Sequence, residues 1–145
     1  AAANLMKKFK NASANVVLAI YGVFRLVFAA FNVSFGGVAG FVRPIVLPMA
    51  TAAAKKNGKK ISEKYEENLK GMASGMENIA WFFGQVLFVG TSGMILVQST
   101  LAVLGYNVEL VDLMKVQIQV AIIAVAVAIV YYYIKDKQLS RRETK

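Results

Sequence analysis

Lysine and arginine are the residues of this chain whose type and spacing indicate a chemical role, namely the binding of anionic groups. They number 17 against 8 acidic residues, which gives a net charge of +9. Residues 51–71, TAAAKKNGKKISEKYEENLKG, place a dense group of lysines between two apolar stretches. Because clustered cationic side chains neutralise phosphates, we expect a polyanionic partner, either nucleic acid or an anionic lipid surface.

The basic residues fall into three groups, near the amino terminus, in the 55–60 region and in the carboxyl tail. We predict that one end of the folded subunit collects all three groups and contacts the anionic partner there. The predicted contact residues are Lys7, Lys8, Lys10, Lys55, Lys56, Lys59, Lys60, Lys137, Arg141 and Arg142.

Catalytic chemistry has little support in the residue types. The chain contains no Cys and no His, which removes the usual zinc, haem and thiol sites and any imidazole catalyst. No paired carboxylates lie in an apolar segment, and neither G-x-S-x-G nor a phosphate-binding glycine loop is present. We therefore predict a protein without enzymatic activity, cofactor or metal.

The apolar content sets the physical problem that the fold must solve. Hydrophobic residues make up 57% of the 145 residues, and the mean hydropathy is +0.52. This is too apolar for an ordinary soluble domain, so apolar surface must be covered by lipid or by partner subunits. The length fits a single domain.

Four apolar segments are predicted to form helices, at 16–35, 38–54, 78–106 and 116–134. The last is rich in β-branched residues but, at about 19 residues, is too long for a strand and long enough to span a bilayer. Pro44 and Pro48 predict that the second segment is kinked or begins near Pro44. Arg25 and Arg43, inside apolar segments, are either functional, or reach a polar boundary or pair at a subunit contact.

The predicted fold class is all-α, a hydrophobic four-helix bundle in one domain, 1–145. It consists of two helical hairpins, at approximately 12–54 and 78–137, joined by a charged central insert at 55–77. Ile61, Tyr65 and Leu69 predict a short amphipathic helix within that insert, on a polar surface. Up-and-down topology then brings the amino terminus, the insert and the carboxyl tail to the same end.

The uncharged segment 78–106 is expected to be the most deeply buried helix. Its large side chains should pack within the subunit or against a neighbouring copy, and the predicted packing residues are Trp81, Phe82, Phe83, Phe88 and Leu96. We therefore expect a homo-oligomer.

A small, wholly helical, very apolar chain with basic connections at one end resembles the major capsid proteins of spindle-shaped archaeal viruses. The resemblance covers the whole chain as a pattern and includes no diagnostic motif. It implies a virion coat subunit that assembles through apolar helices into a helical shell, with its basic end facing packaged double-stranded DNA. The alternative is a small four-helix, multi-pass membrane protein, an accessory subunit with basic cytoplasmic ends and lipid as its partner. A third possibility is a filament subunit like a conjugative pilin.

Overall fold

The computed structural model describes residues 12–55 and 60–143, and every regular element in these ranges is a helix. The all-α fold class is therefore confirmed. A π-helical segment at Val38–Val46 leads directly into α2. The α-helices are α1 (Ala14–Ala30), α2 (Leu47–Ala54), α3 (Glu63–Gln85), α4 (Ser92–Val103) and α5 (Leu110–Arg142).

Helices α1 and α3 pack side by side and run in the same direction. Gly22 of α1 lies against Met76 of α3. Further along both helices, Gly84 of α3 lies against Leu26 and Ala29 of α1, which are one and two turns beyond Gly22. A Cβ at either glycine would collide with the facing helix, so these glycines set the close approach of the two helices.

The segment between α1 and α3 turns back along α1. Gly36 and Gly37 have φ angles of 80° and 61°, a region that glycine enters without strain, and they reverse the chain. Phe41 then stacks on Tyr21 at 5.8 Å between ring centroids. Pro44 has no backbone N–H to donate and lies inside the π-helical segment, so the regular α-helical part begins only at Leu47.

The predicted insert at 55–77 does not form a separate connection. Helix α3 begins at Glu63 and continues without a break to Gln85, across the boundary at which the second hairpin was expected to begin. Its buried residues recur at helical spacing, so α3 is the central helix of the bundle. They are Tyr65, Leu69, Met72, Ala73, Met76, Glu77, Ala80 and Gly84.

The segment 78–106 was expected to be one deeply buried helix, and that prediction is wrong. The chain leaves the helical path after Gln85, and Gly90, with a φ angle of 95°, lies in the turn before α4. In α4 only Met94 is buried. The pattern misleads because an uncharged segment need not be buried inside its own subunit, and most of α4 is exposed.

Helix α5 runs antiparallel to α3. Tyr132 packs over Gly75, which has no side chain to obstruct it. One to three turns further along, Asp136 accepts a hydrogen bond from the Tyr65 hydroxyl, and Glu143 accepts one from the backbone N–H of Ser62. The start of α3 and the end of α5 therefore lie together.

Candidate functional site

The described members of the predicted contact set lie at one end of the bundle, which we call the basic end. Helices α3 and α5 meet there, and α2 ends there because only four residues separate Lys55 from Lys60. All five described members are exposed: Lys55, Lys60, Lys137, Arg141 and Arg142. The other predicted contact residues, Lys7, Lys8, Lys10, Lys56 and Lys59, lie outside the described residues, and their position remains a prediction.

Two polar contacts hold the basic end together. The Glu143 carboxylate accepts hydrogen bonds from both the backbone N–H, at 2.7 Å, and the hydroxyl of Ser62, the N-cap residue of α3. The Tyr65 hydroxyl donates to Asp136. Burial raises the pKa of Tyr65, and the hydrogen bond to Asp136 raises it further, so the phenol stays protonated and keeps donating.

A second polar cluster lies inside the apolar part of the bundle. Arg25 is 1% exposed and Glu77 is 3% exposed, and the Arg25 Nε lies 3.0 Å and 2.9 Å from the two carboxylate oxygens of Glu77. The Tyr21 hydroxyl also donates to Glu77. One positive and one negative charge thus neutralise each other between α1 and α3.

Arg25 also orders the turn after α1. Its Nη1 donates to the Val33 carbonyl oxygen at 3.0 Å. Its guanidinium carbon lies 4.2 Å from the centroid of the Trp81 ring and 5.5 Å from that of Phe35, distances at which cation–π attraction contributes. The contacts of Arg25 therefore lie within the subunit, rather than at a polar boundary or a subunit contact, which were the structural alternatives to a functional role.

Sequence reasoning missed Glu77 because it ended the charged insert at this residue. In the sequence, Glu77 resembles the exposed glutamates before it and stands directly before the apolar segment 78–106. One signal was available: Glu77 follows Met76 and lies four and eight residues after Ala73 and Leu69, on the buried face of α3.

The predicted packing residues are only partly covered within one subunit. Trp81 and Phe83 are half-buried, while Phe82 is 57% exposed, Phe88 40% and Leu96 68%. The Arg25 guanidinium lies against the ring of Trp81. Whether a neighbouring copy covers the others remains a prediction.

Large apolar side chains also cover the outward side of α5. Of the described helices, α5 is the one long and apolar enough to cross a membrane, with a mean hydropathy of 2.3 over its most apolar stretch, of which 17% is buried. Its most exposed apolar residues are Val116, Ile122, Ile123, Val127 and Val130.

The part of the chain that the structure describes contains no group of three or more side chains suited to binding a metal.

Comparison with known proteins adds a family but no activity. The sequence profile of a family described as "Protein of unknown function (DUF969)" matches residues 1–140. No curated protein sequence and no solved structure matches significantly.

Proposed function

Because the chain belongs to the DUF969 family of proteins of unknown function, we propose its function from the physical character of its surface. The protein is a small multi-pass integral membrane protein, a structural subunit of a membrane complex, with its basic end on the cytoplasmic side.

The observation that carries this proposal is the distribution of side-chain size around α5. Its buried positions include the small residues Ala121 and Ala128, whereas Ile123, Val127 and Val130 point outward. A helix of a water-soluble bundle places its large apolar residues inward. In a bilayer, lipid chains solvate large side chains, and small residues at helix contacts allow close packing.

The contacts between α1 and α3 follow the same rule. Gly22 and Gly84 lie at the points of closest approach, whereas Ile20, Val23 and Val27 of α1 are 48%, 51% and 48% exposed. The apolar surface that one subunit leaves open therefore extends over more than one helix. Such a surface needs lipid or protein to cover it.

Along the axis of the bundle, the apolar part of α5 lies beside apolar parts of its neighbours, and its charged end lies beside the charged start of α3. The uncharged segment 116–134 of α5 has about 19 residues, which at ~1.5 Å per residue is about 29 Å, the thickness of a bilayer core. Beyond it, Lys135, Asp136 and Lys137 lie beside the first turns of α3, which are also charged. The buried Arg25–Glu77 pair lies within the apolar part and carries no net charge.

The basic end sets the orientation. Membrane proteins retain Lys and Arg on the cytoplasmic side of their short connections and tails. The opposite end, between α4 and α5, contains no basic residue in the loop 104–109. Lys115, near the opposite end of α5, is paired with Asp112, so the excess of Lys and Arg lies at the basic end, which the positive-inside rule assigns to the cytoplasm.

The coat-subunit hypothesis remains a prediction, because phosphates of double-stranded DNA would fit the same basic end. The two hypotheses differ in what covers α5. A coat subunit buries this surface against other copies in an aqueous particle, whereas a membrane subunit leaves much of it to lipid.

Single-cysteine labelling tests the proposal without interference, because the chain has no native cysteine. Lys60→Cys lies at the basic end, Asn107→Cys lies in the loop before α5, and Val127→Cys lies on the outward side of α5. We expect the protein to remain in membranes after alkaline extraction. A membrane-impermeant maleimide should label Asn107→Cys from outside the cell and Lys60→Cys only after lysis, and it should label Val127→Cys poorly. Release of the protein as particles with nuclease-protected DNA would instead establish the coat hypothesis.

A further inference from the structure

Within residues 12–55 and 60–143, no helix packs on the side of α3 that faces away from the bundle, and we call this side the outer face of α3. Its residues recur at spacings of three and four and lie opposite the buried Leu69, Met76 and Ala80. They are Gly71, Ser74, Asn78 and Phe82. No neighbouring helix covers Gly71, since a Cβ built there would meet nothing within 4 Å.

Asn78 is the residue that makes this face unusual. It is exposed, and its carboxamide forms no hydrogen bond within residues 12–55 and 60–143. It lies next to Glu77 and about one turn from Gly75, whose neighbour on α5 is Tyr132. Asn78 is therefore level with the apolar part of α5. A carboxamide that faces lipid at this depth without a partner costs free energy, so a protein group is needed to satisfy it.

An open groove of about 440 Å³ lies beside Asn78, and one ring of α3 protrudes next to it. The groove is lined by Asn78, Ile79, Trp81, Phe82 and Phe83. Phe82 is 57% exposed and forms one edge of the groove. The exposed Phe82 ring and the shallow apolar surface beside it lie on the same part of α3, so each copy of a two-fold pair offers both to its partner.

The charges flanking this face are also complementary across a two-fold axis. At the basic end of α3, Glu63 lies on one side of the face and Lys64 lies on the other, and both are exposed, whereas Glu67 is already paired with Lys70 of the same helix. Two parallel copies placed face to face bring Lys64 of each copy beside Glu63 of its partner. A carboxamide offers both a donor and an acceptor, so Asn78 can bond to the same residue of the second copy.

We propose that the outer face of α3 binds a second copy of this chain, forming a parallel two-fold dimer in which Asn78 pairs with its counterpart and Phe82 enters the partner's groove. The depth argument for Asn78 rests on the proposed membrane function, whereas the charge and shape arguments do not. The dimer keeps both basic ends on the same side, as the membrane orientation demands.

Disulfide cross-linking of the full-length protein in its native membranes tests the dimer. Gly71→Cys places a thiol on the outer face without a clash, and Ile134→Cys, 50% exposed on α5, is the matched control near the same end. On oxidation with copper–phenanthroline we expect a cross-linked dimer for Gly71→Cys and monomer for Ile134→Cys, since a disulfide needs Cα atoms within about 7 Å. Equal or greater cross-linking of Ile134→Cys, or an adduct of Gly71→Cys with a different protein, overturns the proposal.

Substitution of Asn78 tests the amide itself. Asn78→Leu keeps the approximate shape but cannot hydrogen-bond, so the association constant measured by energy transfer in vesicles should fall about tenfold, whereas Asn78→Gln should retain most of it. An unchanged association constant for Asn78→Leu overturns the role of Asn78.

Alkaline extraction of the same samples separates the two proposals. If alkaline extraction releases the protein from the membrane and Gly71→Cys still cross-links, the result contradicts the membrane function and supports the dimer. A chain that stays in the membrane without cross-linking through Gly71→Cys contradicts the dimer alone.

Discussion

At the scale of single residues, one buried ion pair determines how the apolar bundle accommodates charge. Arg25 and Glu77 come from different helices and are both almost fully buried. Each would be costly to bury alone, and together they also satisfy Tyr21 and the Val33 carbonyl. This pair specifies which face of α1 meets which face of α3, because any other register would leave a buried charge unpaired.

The first prediction concerns this pair. Glu77→Gln leaves Arg25 buried without a counter-charge, and the free energy of unfolding should fall by about 3 kcal/mol. Tyr21→Phe removes only one hydrogen bond to Glu77 and should cost about 1 kcal/mol. Denaturant titration of the purified protein in detergent measures both values.

A double substitution provides the control. Arg25→Met combined with Glu77→Leu removes both charges and should recover most of the stability lost in Glu77→Gln. An equal loss in the double variant would mean that packing around these side chains, rather than the uncompensated charge, determines the cost.

At the scale of helices, small residues determine the spacing of the bundle. Glycines lie where α1 meets α3 and where α5 crosses α3, and the ring of Tyr132 occupies the space that a side chain at Gly75 would need. Helix α4 lacks such a contact surface, and most of its apolar residues stay exposed. Glycines that lie against a neighbouring helix thus mark the contacts of α3 with α1 and α5, whereas Gly93 of α4 has no such neighbour.

The second prediction concerns the contact between α3 and α5. Gly75→Ala should reduce stability by about 1–3 kcal/mol despite the better helix propensity of alanine, because the added Cβ collides with the Tyr132 hydroxyl. Thermal unfolding in detergent measures the change.

Gly93 supplies the matched control, since a Cβ there meets nothing within 4 Å in α4. Gly93→Ala should therefore be neutral or slightly stabilising. Adding Tyr132→Phe to Gly75→Ala removes the colliding oxygen and should restore part of the loss. Equal effects of Gly75→Ala and Gly93→Ala would contradict the packing that places Tyr132 over Gly75.

At the scale of the whole molecule, apolar sides and a single basic end act together. The exposed aliphatic surface of α1 and α5 favours lipid, and the exposed cations at one end oppose transfer of that end across the bilayer. Hydrogen bonds of Ser62 and Tyr65 to α5 hold the charged start of α3 at that end. Under the proposed membrane function, insertion and orientation therefore depend on different residues.

The third prediction separates the two hypotheses for the basic end. Replacing Lys55, Lys56, Lys59 and Lys60 with Gln leaves the apolar helices unchanged, so the variant should still insert. A fraction of the molecules should now have inverted orientation, detected as Asn107→Cys molecules that the impermeant maleimide no longer labels.

The coat hypothesis predicts a different defect for the same variant, namely particles that are empty or protect less DNA. Replacing Lys115, at the opposite end of α5, with Gln is the control and should not invert the orientation. A quadruple variant with unchanged orientation and unchanged DNA protection would leave residues 55–60 as a solvated connection.

The sequence by itself determined the helical fold class, the surplus of cations and the need to cover apolar surface. These properties follow from composition and from the length of apolar segments, which are local. Segment 116–134, for example, is too long and too apolar to be a strand or a loop.

The tertiary structure alone decided which charges are buried and which apolar residues stay outside. Glu77 and Glu67 look alike in the sequence, yet Glu77 pairs with Arg25 in the bundle and Glu67 pairs with Lys70 at the surface. Likewise, Met76 is buried whereas Phe82 is exposed, although both are apolar residues of α3. The physical reason is that burial depends on which face of a helix meets another helix, and that is set by contacts between residues about 50 positions apart in the chain, such as Arg25 with Glu77.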